Sequence, residues 1–429
     1  MPLPWHDNHP AILRGYELCV NRLKSLQRKL LKEPELIREY NQIIEEQLSK
    51  GIVEKVAAED NEKENVHYLP HQPVIRRDRE TTKLRIVNDG SAKPPERTHS
   101  LNDCLETGPN YTPQLFDTLV NFRWHKIGLT ADIEKAFLMV GINEMDRDMP
   151  RFLWLKDPDD LNSEIVHLRF TRLVFGLRPS PAILASTIRH HLDSQVSEEF
   201  KPHFIELLKK SLYVDDLVTG EGDEAKALEL CSKSKSLMQR GGFNLRKWKT
   251  NSKIVQEAIN GMNDSANPTT EPGSTKSITE EDESYAKTTS ENAMVKVLGS
   301  IWNTDTDQFT FDLVDLSQHA SLLPTTKRSL LKISAIQELC IERTDWDDQL
   351  KGDHLKKWKS LILEPQTLNS VCMPRCYFDY TSGNLKELNF TVSVTLQKRL
   401  TLQVFMFAPF MRMGALMQNW LHRRLKSHR

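Results

Sequence analysis

The chain has 429 residues, room for two or three domains and an ample core. Its 58 Lys and Arg stand against 59 Asp and Glu, a formal net charge of −1, so global charge selects no polyanionic partner and any basic surface must be local. Its 6 cysteines are scattered except for Cys372 and Cys376, without a second Cys or His pair at zinc spacing, which excludes a disulfide scaffold or zinc finger and implies reduced thiols inside the cell.

The start, Met-Pro-Leu-Pro-Trp, carries no charged-then-apolar signal pattern, and no run of about twenty apolar residues suggests a membrane span. Residues 1–15 are rich in Pro and His and read as extended. Leu and Ile recur at helical spacing from Tyr16 to Ser49, where Pro34 divides two helices and Gly51 ends the second. Arg22, Lys24, Arg28, Lys29 and Lys32 give the first helix a basic face, either solvated or in contact with phosphate. Two short strands follow, over 71–78 and 83–90, with Arg76, Arg77, Lys83 and Arg85 clustered on them. Such a basic hairpin is either a solvated edge or a grip for nucleotide phosphates.

An apolar strand from Lys126 runs into Asp132, and a turn delivers Phe137 five residues later. Strands are expected at 151–155 and 166–170. The segment 172–181, containing Phe175 and Gly176, leads into a helix over 182–192, and another helix spans 204–210. Then comes Ser-Leu-Tyr-Val-Asp215-Asp216-Leu-Val-Thr-Gly220, a β-hairpin with both acids near its tip. Adjacent carboxylates on a tight turn repel one another. They are either a solvated turn, since Asp is a common turn residue, or the ligands of a hard divalent cation. An amphipathic helix over 225–241 precedes Phe-Asn-Leu-Arg-Lys247-Trp-Lys249. Composition then shifts to Asn, Ser, Thr, Glu, Pro and Gly, the mark of a disordered linker. Order returns at Val295–Trp302, with a strand from Phe309 and helical texture over 325–364. From Thr391 to the end there is no Asp or Glu.

Leu-Thr-Ala-Asp132-Ile-Glu-Lys-Ala-Phe137, Phe-Gly-Leu-Arg-Pro-Ser-Pro181, Tyr-Val-Asp215-Asp216 and Val-Leu-Gly-Ser-Ile-Trp302-Asn resemble, in that order, the reverse transcriptase region of BEL/Pao-type LTR retrotransposon polyproteins. The resemblance covers residues 3–385 and implies an α+β right-hand polymerase with fingers, palm and a truncated thumb or connection. It implies RNA-directed DNA polymerase activity on an RNA or DNA template with primer and dNTPs. Two Mg²⁺ ions, replaceable by Mn²⁺, would be bound by Asp132, Asp215 and Asp216, with Asp216 the weaker ligand. It assigns Phe137 to exclusion of the ribose 2′-hydroxyl, or else to the core. Arg76 or Arg77, together with Arg85, would grip the triphosphate, and Phe175 and Gly176 would wall the nucleotide pocket. Lys247 or Lys249, with Lys247 preferred, is the general acid toward pyrophosphate. Leu298, Gly299 and Trp302 would form the primer grip, with Trp302 otherwise a core residue. Replication of such elements implies a cytoplasmic location and no membrane partner; protein partners stay unassigned.

The implied divisions are an N-terminal helical region (1–56), fingers and palm (57–255), a disordered linker (256–294), a primer-grip hairpin with truncated thumb or connection (295–385), and a tail (386–429). Asn88 replaces the usual aromatic before Asp-Gly-Ser, and Pro150 stands where a residue able to donate to a strand ladder is usual. The family's Asp-Pro-Leu-Gly-containing segment is missing after Ala335. The tail reads as an RNase H-like remnant shifted out of frame near codon 390, so the chain resembles a polyprotein fragment from a decaying element. Two other outcomes stay open: a catalytically inactive relic, and a non-catalytic nucleic-acid-binding protein.

Overall fold

The computed structural model describes residues 1–57, 60, 63, 65–75, 84–93, 99–265, 293–311 and 371–377, with isolated positions at 349, 352, 355, 356 and 359. The two N-terminal helices form as their apolar spacing predicts: α1 (Tyr16–Leu30) buries Cys19, Leu23, Leu26 and Leu30, and α2 (Pro34–Ser49) buries Ile37, Tyr40 and Ile44. Pro34 sits in the first turn of α2, where a backbone N–H would have no helical partner. On the basic face of α1, Arg22 is committed to Asp89 at 2.8 Å.

The chain continues through β1 (Val53–Lys55), β2 (His71–Ile75), β3 (Leu84–Asn88), the short α3 (Leu101–Cys104), α4 (Leu115–Trp124), β4 (Ile127–Ile133), β5 (Arg151–Leu155) and β6 (Ile165–Phe170). Then come α5 (Ser180–Ser194), α6 (Pro202–Ser211), β7 (Leu212–Tyr213), β8 (Asp216–Glu221), α7 (Glu224–Arg240), β9 (Leu245–Thr250) and α8 (Lys253–Ser265). Last are β10 (Met294–Val297), β11 (Ser300–Asn303), β12 (Gln308–Phe311) and β13 (Val371–Pro374).

The architecture is mixed α/β. The described strands make a three-stranded sheet β1-β6-β5, a β2-β3 ribbon, a four-stranded sheet β7-β8-β4-β9 and a four-stranded sheet β10-β11-β12-β13. Every ladder within them is antiparallel. One apolar cluster runs from the N-terminal helices through β5 and β6 to the β7-β8-β4-β9 sheet and its helices. A smaller one, Phe122, Val218, Val297, Trp302 and Phe309, joins α4 and β8 to the last sheet.

Pro150 immediately precedes β5, a strand start, where it withholds no ladder donor and its carbonyl still accepts from Phe170 N–H. The linker expected over 256–294 is overlapped at both ends. Helix α8 continues through Ser265, because Val255 and Ile259 are buried and hold its first turns against the core, and β10 already begins at Met294. Arg76, Arg77, Lys83, the expected helix over 325–364 apart from isolated positions, the junction after Ala335 and the tail over 386–429 lie outside the described residues. Among the described residues no helix is long and apolar enough to cross a membrane.

Candidate active site

Strand β4 is buried along its length until Asp132, which is half-buried. This is the residue pattern of a central strand that opens to solvent only at one end. Strand β8 lies antiparallel beside it, pairing Asp132 with Asp216, and Ile133 N–H donates to the Asp215 carbonyl at 2.8 Å. Between β7 and β8 the turn passes through Val214 at φ 59°, a left-handed conformation costly for a β-branched residue. Sequence separates these acids by more than eighty positions (132 to 215); the ladder brings them together.

Burial holds the Asp132 carboxyl above its ordinary pKa. The Lys247 charge opposes that shift, the Asp215 charge adds to it, and Arg246 and Arg85 pull it down. Asp215 at the turn is thus a neighbouring acid felt by Asp132, and Asp216 is its backbone partner in the ladder. Three cations converge on this end of the sheet, one of them from strand β3.

Lys247 owes its place to a bulge. The β4-β9 register shifts between Thr130, opposite Lys249, and Asp132, opposite Arg246, so that Lys247 and Trp248 face the single residue Ala131. Lys247 takes φ 55° there, and Trp248 turns into the core. A bulge re-aims a side chain without ending the strand. The charge of Lys247 acts on Asp132.

Glu134, Asn244 and Arg246 were not legible as site residues. Glu134 lies just past the end of β4, and Arg246 stands between it and Asp132. The Glu134 carboxylate accepts from Asn244 Nδ2 at 2.9 Å and Arg246 Nη1 at 3.0 Å. Arg246 Nε is buried without a hydrogen-bond partner and stands 3.8 Å from Asp132 Oδ2. The signal was available in the same two motifs: an acid at i+2 from Asp132 and an arginine beside Lys247.

Phe137 is 3% exposed and belongs to the core cluster; its ring packs on Phe175 with centroids 4.3 Å apart. Phe175 is the ring that faces solvent, at 49% exposure. Gly176 follows at φ 101°. Asn102 secures this loop, donating from Nδ2 to the Gly176 carbonyl at 2.9 Å and accepting from Arg178 N–H at 2.7 Å. Arg85 is exposed on β3. Leu298 and Gly299 form the β10-β11 turn, both at positive φ, and among the described residues no neighbour approaches the place of a Gly299 side chain. Trp302 is fully buried in the smaller cluster, with Nε1 donating to Asp307 Oδ1 at 3.0 Å. It acts as a core residue beneath that turn.

Among the described residues no three His, Cys, Asp or Glu side chains form a ready metal cage. Asp132, at the end of β4, instead feels the charge of Asp215 in the adjoining turn. Such a pair suits Mg²⁺, which is bound by one or two carboxylates completed by water and substrate phosphate oxygens.

The chain is similar to a foamy viral protease-reverse transcriptase in complex with double-stranded DNA. The two share 14% identity over 76% of this chain and 47% of that one, with a TM-score of 0.47. It is also similar to the foamy viral protease-reverse transcriptase in complex with an RNA/DNA hybrid. There the identity is 14% over 78% of this chain and 37% of the other, with a TM-score of 0.45. The chain spans less than half the length of these two proteins. No family model matches it, and no curated protein matches it.

Proposed function

We propose that the chain is an RNA-directed DNA polymerase of a BEL/Pao-type element, joining dNTPs to a primer 3′-hydroxyl. The observation that carries this reading is the meeting of Asp132 and Asp215 at one open end of the β7-β8-β4-β9 sheet, with Lys247, Arg246 and Arg85 around them. Clustered acids ringed by cations suit a substrate that brings both phosphate charge and cations of its own.

Asp132 and Asp215 would hold two Mg²⁺ ions, or Mn²⁺ in their place, with Asp216 contributing less. When bound, the ions would lower the pKa of the attacking hydroxyl and neutralise charge on the reacting phosphate. The protein's own groups supply the rest. Arg85, with Arg76 or Arg77, grips the triphosphate by charge-assisted hydrogen bonds. Lys247 sits beside the acids and gives a proton to the departing pyrophosphate. Phe175 and Gly176 wall the nucleotide, and Phe137, from beneath Phe175, limits room at the ribose 2′ position. The Leu298-Gly299 turn supports the primer.

Primer extension on poly(rA)/oligo(dT), comparing the wild-type chain with Asp215→Asn, tests the reading. Extension by the first and none by the second supports it. Binding of the duplex without extension makes the chain a nucleic-acid-binding protein, and neither activity makes it a relic.

A further inference from the structure

Arg375 is fully buried, and all of its donors are used. Nε and Nη2 grip Asp307 Oδ1 and Oδ2 at 2.6 and 2.9 Å. Nη1 donates to the carbonyls of Phe122 and His125 at 2.6 and 2.9 Å, and Nη2 to that of Lys126 at 2.7 Å. The first two are carbonyls at the C-terminal end of α4, where a cation also meets the negative end of the helix dipole. The contact is returned from the other side. Arg123 donates to the carbonyls of Arg375 and Pro374 at 2.9 and 3.0 Å, and its guanidinium lies 3.9 Å from the Tyr377 ring centre. Strand β4 makes room for the crossing with Gly128, since a Cβ there would stand 2.9 Å from Arg375 Nε.

The two ends of this clasp are functionally unequal. Lys126 leads directly into β4, the strand that ends on Asp132. Asp307 takes the indole N–H of Trp302, on the strand that leaves the Leu298-Gly299 turn. It also accepts from Asn251, which in turn accepts from Gly128 N–H. One guanidinium therefore joins the root of the acid-bearing strand to the root of the β10-β11 hairpin. We propose that Arg375, held by Asp307, is a positioning residue that sets the Leu298-Gly299 turn relative to Asp132, and with it the place of a primer 3′ end.

This inference rests on the polymerase reading, and one experiment separates the two. Primer extension on poly(rA)/oligo(dT) is measured for the wild-type chain, Asp215→Asn, Asp307→Asn and Arg375→Lys, alongside Tm and duplex affinity. With the wild type active and Asp215→Asn inactive, Asp307→Asn and Arg375→Lys are expected to lower Tm, since a buried ion pair is broken, and to lower kcat per folded molecule by roughly 10–100-fold while dNTP KM and duplex affinity stay near wild type. Unchanged kcat overturns the inference while leaving the polymerase reading intact. A rate that falls only in step with the folded fraction does the same and leaves the clasp a purely structural one. A wild type that does not extend removes the polymerase reading and the inference together.

Discussion

Gly176 stands against Asn88 so closely that a methyl group on its Cα would lie 2.0 Å from the Asn88 carbonyl oxygen. The contact joins the loop carrying Phe175 to the end of β3, which carries Arg85. Its φ of 101° is also a conformation that alanine avoids. Gly176→Ala is expected to destabilise the fold by at least about 2 kcal/mol, since backbone on both sides would have to yield. Urea unfolding of the variant checks this.

The acids are expected to rank. Asp132→Asn and Asp215→Asn should each lower primer extension by roughly 10³-fold, because each removes one of the carboxylates proposed to hold the metal ions. Asp216→Asn should cost only about tenfold, in keeping with the lesser part the polymerase reading gives Asp216 as a metal ligand. Single-turnover extension of the three variants tests the order; an Asp216 variant as impaired as the other two would contradict it.

Phe137 and Phe175 pack ring against ring at a tilt of 56°, the first buried and the second exposed. Phe137→Val should lower discrimination between deoxy- and ribonucleotides by roughly 10–100-fold, from the room opened beneath the Phe175 ring. Competition between dTTP and UTP for extension reads it directly. Because Phe137 is also a core residue, Tm of the variant should fall as well.

His71 ties α2 to β5. It is buried, and its Nε2–H donates to the Leu153 carbonyl, so Nδ1 must accept from the Tyr40 hydroxyl. Burial lowers its pKa from 6.5 to about 4. As pH falls from about 6.5 toward 4, the unfolded chain takes up a proton that the folded chain refuses, so stability drops through that window and this contribution levels off below it. The loss is about 3 kcal/mol. His67, shifted the same way by burial, adds to it. Unfolding midpoints between pH 7 and pH 4 should show a smaller slope in His71→Gln than in the wild type.

Where the information is local, the sequence was readable. The apolar spacing of α1 and α2, the strand into Asp132 and the hairpin at Asp215 all follow from short-range periodicity and turn chemistry. What escaped depends on long-range pairing. Glu134 and Arg246 look like ordinary strand charges until β9 docks beside β4. Arg375 looks like any basic residue until it meets α4, some 250 positions earlier in the chain. The exposure of Phe175 rather than Phe137 is decided by packing of the loop onto the core, which neither residue's neighbours in sequence reveal.

Strands β12 and β13 run side by side, with Phe311 opposite Val371, although 59 residues (312–370) separate them in the chain. That ladder is the longest-range kind of pairing: the ends of a long span of chain must meet before any of its hydrogen bonds form, so closure entropy opposes it and the last sheet is expected to be completed late in folding.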